Sequence, residues 1–212
     1  MLAGQDALSD AQAEAIRAYV QAGGGLVATG NSSLMTEWRL RRGEFALASL
    51  FGTGQPTDTA LRRESGRGRA VYLPRIVPAV TPPPALMNYN FSHDYWKLPL
   101  NHAELVEAVR WAARGELSAE VTAPEHVSME LTRQNDSGNL ALHLVNFDFR
   151  RPAGQIEARV RIPEGYALRE VISASPEDER PSVTSSVRGG YVHLRLPRLD
   201  VYNLTVLRLA RR

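Results

Sequence analysis

Apolar residues recur at helical spacing in the first half of the chain and at every second position in the second half. The change falls after about residue 117 and divides the chain by itself. Ser9 and Gln12 stand at the S-x-x-Q spacing of a capping box, with Leu8 in the staple position before them. Ile16, Tyr19 and Val20 then share one helical face. Gly23 follows where a left-handed cap belongs. Leu26 to Thr29 is a short apolar run that suits a strand covered on both faces. The order helix, glycine turn, strand is the αβ half of a βαβ unit. The strand that should precede it has only Met1 to Ala3 to draw on, so the sheet is expected to lack leading strands and the domain to be incomplete at its N-terminus.

Gly30 to Arg42 is polar and reads as a loop. Phe45, Leu47, Ala48, Leu50 and Phe51 predict a short amphipathic helix ending at Gly52. Gly54 to Arg69 is turn-rich, and Ala70 to Leu73 predicts a second buried strand closed by Pro74. Residues 77–99 form a proline-rich link with Tyr89, Phe91, Tyr95 and Trp96, too long for an ordinary connection. Asn101, with Glu104 three residues on, opens a further helix whose buried face is Leu105, Val109 and Ala112 and whose end is Gly115.

Beyond the boundary at Leu117 to Pro124 the period is two. Leu140, Leu142 and Leu144 alternate with Ala141, His143 and Val145. Ile156, Ala158, Val160 and Ile162 alternate with Glu157, Arg159 and Arg161. Segments at 126–133, 168–173, 183–187, 191–196 and 201–209 complete about seven strands at sandwich spacing. The expected fold is α/β plus all-β. A partial, open, flavodoxin-like α/β sheet domain (residues 1–116) precedes a C-terminal antiparallel β-sandwich (residues 117–212).

Composition narrows the function classes. The chain has 212 residues and a formal net charge of +2, with Lys97 its only lysine, so no strong field draws nucleic acid or an anionic membrane. No basic cluster is interleaved with aromatics, and no apolar run reaches the ~20 residues of a membrane span. There is no cysteine, which removes disulfides, thiolate metal sites and cysteine nucleophiles. The first residues lack a secretion signal, and a cytoplasmic location is expected.

Each candidate chemistry has a plainer structural reading. Gly23 to Gly25 resembles a phosphate loop in composition, but a dinucleotide fingerprint follows a strand and precedes a helix, and here the order is reversed. The loop Asn31, Ser32, Ser33 lies at the C-terminal end of a strand, where open sheets bind ligands, and Trp38 offers a face on which a sugar ring can stack. Asn and Ser are also ordinary loop formers. Glu37 and Glu44 have no reason to stand at glycosidase spacing, with Arg39, Arg41 and Arg42 as their expected partners. The five histidines, His93, His102, His126, His143 and His193, show no metal-ligand spacing. His93 beside Asp94 is the least implausible polar site among them. Tyr95 and Trp96 suit sugar stacking, an interface, or packing within the chain. No G-x-S-x-G elbow occurs.

LSDAQAEAIRAYVQAGGGLVATG, followed by SSLMTEWRLRRGEFALASLFG, resembles the trimerisation domain of family 42 β-galactosidases and related glycosidases. GRGRAVYLP and YWKLPLNHAELVEAVRWAA resemble later parts of that domain. LALHLVNFD and LPRLDVYNLTVL resemble the C-terminal β domain of the same proteins. The resemblance implies a class I glutamine amidotransferase-like sheet without its chemistry, and a catalytic (β/α)-barrel ahead of this region. A barrel of ~250 residues cannot fit here, so no catalytic residue carries over. Two functions are expected: a non-catalytic assembly region serving oligomerisation and scaffolding of that barrel, or a carbohydrate-binding accessory module using Trp38 or Tyr95 and Trp96. From the glycine order and the histidine spacing no cofactor and no metal are expected. The implied partners are further copies of the chain, its own barrel domain and, for the second function, a carbohydrate. An independent hydrolase is a weaker third.

Overall fold

The computed structural model describes residues 1–81, 97–148, 150–177 and 182–212. The chain divides into two compact units, Met1–Glu116 and Leu117–Arg212. It is rich in β-structure: three four-stranded sheets accompany three helices among the described residues.

The first unit is built around a sheet of β1 (Leu2–Ala3), β2 (Gly25–Thr29), β3 (Leu61–Ser65) and β4 (Gly68–Leu73), in the order β1-β2-β4-β3. β1, β2 and β4 run parallel, and β3 is antiparallel to β4. The two-residue strand β1 does pair with β2, so the expected strand exists in minimal form. β3 is a correction: its segment reads as turns because Leu61 is its one large apolar residue. It is an edge strand joined to β4 by Gly66 and Arg67, with Gly66 at φ +57°. A two-residue hairpin turn needs that left-handed angle at its first position.

Helix α1 (Asp10–Gln21) starts as its sequence predicts. Ser9 Oγ accepts from the Gln12 amide at 3.2 Å, and Gln12 Oε1 accepts from the Ser9 amide at 2.9 Å. At its end the Gly23 and Gly24 amides donate to the Val20 and Tyr19 carbonyls, both at 2.9 Å, closing a Schellman turn. Two further helices follow, α2 (Ala48–Phe51) and α3 (His102–Ala112). Asn101 is the N-cap residue of α3, as expected, but its side chain makes no hydrogen bond to the helix amides. Its side chain instead accepts from the Val77 amide and donates to the Arg75 carbonyl and Glu104. The helix ends at Gly115 as expected: Arg114 at φ +56° and Gly115 at φ +77° are both left-handed, and the Gly115 amide donates to the Arg110 carbonyl at 2.9 Å.

The sheet is covered on both faces. Leu26, Ala28, Ala70 and Tyr72 join Ala13 and Val20 of α1 and Leu50 and Phe51 of α2 in one core. Val27, Val71 and Leu73 pack with Ala108 and Ala112 of α3 in another. Phe45, Phe51 and Tyr72 form an aromatic trio with ring centroids 5.3–5.6 Å apart. Such pairs contribute ~0.5–1.5 kcal/mol each beyond the area they bury.

The second unit is two antiparallel sheets on a shared core. One has the order β10-β11-β8-β5 and the other β6-β7-β12-β9. Their strands are β5 (Ala119–Thr122), β6 (Val127–Arg133), β7 (Leu140–Asn146), β8 (Ala153–Arg161), β9 (Tyr166–Ala174), β10 (Thr184–Arg188), β11 (Tyr191–Leu199) and β12 (Tyr202–Arg211). Leu140, Leu142 and Leu144 meet Ile156, Val160, Val192, Leu194 and Leu196 between the layers. The alternation over 140–145 and 156–162 is therefore the inner and outer set of two strands. The strand that periodicity does not mark is β5, too short and too evenly half-buried to show a period.

Candidate functional site

The candidate loop leaves β2 at Gly30, whose φ of +61° turns the chain while its amide still donates to the Leu73 carbonyl at 3.0 Å. Asn31 is exposed. Ser32 is fully buried, its hydroxyl 2.7 Å from the Thr29 carbonyl and 3.0 Å from the Leu2 carbonyl. Its single proton is therefore held inside the fold, tying the loop to β1. Ser33 is also fully buried, at φ +74°. Its amide donates to the Gln5 carbonyl, and its hydroxyl accepts from the Leu47 amide at 3.2 Å. A serine in the left-handed region is strained. Here that strain aims a hydroxyl at a backbone donor which would otherwise be buried without a partner.

Beyond Met35 the loop reverses tightly. The Thr36 amide donates to the Leu40 carbonyl and the Arg39 amide to the Thr36 carbonyl, both at 2.9 Å, with Arg39 at φ +59°. This turn lifts Trp38 and Leu40 into solvent, 80% and 66% exposed. Arg42 returns the chain to the core. Its guanidinium pairs with Asp10 at 2.7 Å and donates to the Leu8 carbonyl at 2.9 Å. That pairing departs from the expected one with Glu37 or Glu44, both of which are exposed. Asp10 opens α1, where a carboxylate also meets the positive end of the helix.

The structure thus brings Asn31, Ser32 and Ser33 together but turns both hydroxyls inward. It leaves Trp38 at the tip of a separate turn. His93, Tyr95 and Trp96 lie outside the described residues. Among the described residues no group of His, Asp and Glu stands as a metal-binding cluster, and no helix is long and apolar enough to cross a membrane. His143 sits between the Tyr202 hydroxyl at 2.8 Å and the Thr132 hydroxyl at 3.3 Å.

The shifted ionisations have structural causes. Burial pushes the Tyr72 phenol above its ordinary value; the Thr57 amide opposes this and Asp58 adds to it. Burial works to raise Asp148, but the Arg150 amide, the Arg151 guanidinium and His126 outweigh it, and the carboxyl titrates below its usual range. The Arg198 guanidinium, whose Nε and Nη2 donate to the two oxygens of Asp200 at 3.0 and 2.6 Å, lowers that carboxyl likewise.

One feature escapes a reading by motifs. A shallow, half-open depression of about 300 Å3 lies on the β10-β11-β8 layer, bordered by Glu157, Ala158, Thr184, Ser185, Ser186, His193, Leu194 and Arg195; Glu157, Thr184, Ser186, His193 and Arg195 share the outward parity. These residues are far apart in sequence and are gathered only by strand register. The signal available beforehand was their shared outward parity on neighbouring strands.

No family model matches the chain, and no curated protein does. Solved structures do. The α-L-fucosidase isoenzyme 2 of Paenibacillus thiaminolyticus superposes with a TM-score of 0.58 at 14% identity, over 99% of this chain and 40% of that one. The β-galactosidase of Bacillus circulans sp. alkalophilus gives a TM-score of 0.50 at 12% identity, over 96% of this chain and 32% of that one. A GH42 β-galactosidase from G. stearothermophilus reaches a TM-score of 0.46 at 14% identity, over 98% of this chain and 31% of that one. At such identities the likeness is one of fold. The chain spans well under half the length of each of these glycoside hydrolases.

Proposed function

We propose that this chain is a non-catalytic, C-terminal assembly region of a β-galactosidase-like glycoside hydrolase. In this reading the first unit is a partial flavodoxin-like sheet of the amidotransferase type, and the second is its companion β-domain. Together they hold copies of the enzyme, and a separate (β/α)-barrel, in place. The observation that carries the reading is the superposition of nearly the whole chain, both units in succession, on 40% of a fucosidase chain. The inward engagement of Ser32 and Ser33 supports it, because the strand end most apt for chemistry keeps no free hydroxyl. Trp38 and Leu40 supply an apolar tip suited to docking.

The test joins two measurements on the 212-residue chain. Chromogenic galactoside and fucoside assays are expected to show no turnover above buffer, and light scattering to show a mass that is a multiple of the monomer. Turnover lost on mutating a single carboxylate would overturn the non-catalytic reading. A monomer at every concentration would remove the assembly role.

The exposure of Trp38 favours a second reading, a carbohydrate-binding module. It predicts saturable quenching of tryptophan fluorescence by a galactoside, abolished in Trp38→Ala. Absence of quenching at millimolar sugar eliminates it.

A further inference from the structure

We infer that the outer face of the second unit carries a binding groove for a neutral, polyhydroxylated ligand of about one sugar ring. This site is independent of the Trp38 loop and of the assembly role. Register sets its floor. Thr184 stands opposite Arg195, Arg195 opposite Glu157, and Ser186 opposite His193. Residues directly opposite on antiparallel strands lie ~4.5–5.5 Å apart, so the five residues stand side by side on one face and border one shallow opening of about 300 Å3. That is at the small end of the ~300–1,000 Å3 typical of small-molecule sites.

The chemistry of the lining selects the ligand class. Glu157 and Arg195 form an ion pair at 2.7 Å with side chains 58% and 70% exposed. The pair is neutral as a whole. A free anion would meet Glu157, and a free cation would meet Arg195. A neutral polyol meets neither objection, because adjacent hydroxyls can donate to the carboxylate and accept from the guanidinium. The Thr184 and Ser186 hydroxyls and the His193 ring both donate and accept. Because the pair is already half-hydrated, a ligand displaces water from it without stranding a buried charge.

The groove lacks an aromatic platform. Tyr191, two residues before His193 on β11, has its ring face covered by the Arg159 guanidinium at 5.1 Å, and Arg159 is itself paired with Glu120. The expected affinity is therefore in the millimolar range, set by hydrogen bonds alone.

Titration of the 15N-labelled chain with galactose, galacturonate and galactosamine tests the inference. The expected result is saturable shifts at the Thr184, Ser186 and His193 amides, strongest for galactose. Glu157→Gln should weaken binding by about tenfold. Ser186→Ala leaves the ion pair intact and should weaken it by about threefold, and unchanged thermal melts certify the fold of both. No saturable shift with galactose, tighter binding of either charged sugar, or unchanged affinity in both variants would overturn the site. Shifts confined to the Trp38 indole would overturn it in favour of the loop.

Discussion

The two units solve burial in opposite ways. In the first, β2 and β4 have almost no outward positions: five of the six residues of β4 are buried. In the second, β8 and β11 give alternate residues to solvent. A sheet with helices on both faces can meet a ligand only through its loops, and here the loop hydroxyls point inward. A sandwich keeps one polar face on each strand, so a site can be laid across strands. The place where open sheets usually bind is therefore the less available one in this molecule, and the sandwich face is the more available.

The largest test of this contrast is Tyr72→Ala. It empties the aromatic trio between sheet and helices and should lower stability by about 3–5 kcal/mol. His193→Ala, on the open face of β11, should change stability by no more than about 0.5 kcal/mol. Denaturant melts compare them directly, and equal losses would break the contrast.

Ser33 gives a finer test. Ser33→Ala leaves the Leu47 amide buried without a partner and should lose about 1–3 kcal/mol. Ser33→Gly loses the same bond but relieves the φ of +74°. It should be the more stable of the two by about 1 kcal/mol. The reverse order would mean that the loop is held by something other than this hydroxyl.

The smallest effect concerns the Tyr72 hydroxyl, which is buried without a well-formed hydrogen bond. Tyr72→Phe should leave stability unchanged or raise it by about 1 kcal/mol. Its pH dependence has a defined sign. The folded phenol titrates above its ordinary value, chiefly through burial. Its contribution is complete below the unfolded value of ~10 and is lost as pH rises through the folded one. Wild type should therefore lose stability above about pH 10 more steeply than Tyr72→Phe. Parallel thermal melts across that range decide the matter.

Legibility in the sequence followed the same division. Alternation exposed most of the sandwich because each strand has a wet and a dry side. β3 was hidden because an edge strand needs only one apolar anchor, Leu61, and its arginines read as loop. Arg42 reads as a neighbour of Glu37 and Glu44, yet it pairs with Asp10 because the loop folds back on the start of α1. Ser32 and Ser33 could be located but not interpreted. A serine that ties a loop and one that holds a sugar are the same letter, and only burial separates them. The groove lay beyond any motif because antiparallel pairing assembles it from positions up to 38 residues apart, as between Glu157 and Arg195.

The glycines of the first unit have a consequence for which changes it can tolerate. A methyl group at Gly25 would sit 2.5 Å from the Ala112 carbonyl oxygen, and one at Gly68 would sit 2.0 Å from that of Val20. The ends of α1 and α3 thus press on the sheet where only a hydrogen atom fits. The least mutable letters of this unit record where its backbones touch, whatever chemistry its descendants adopt.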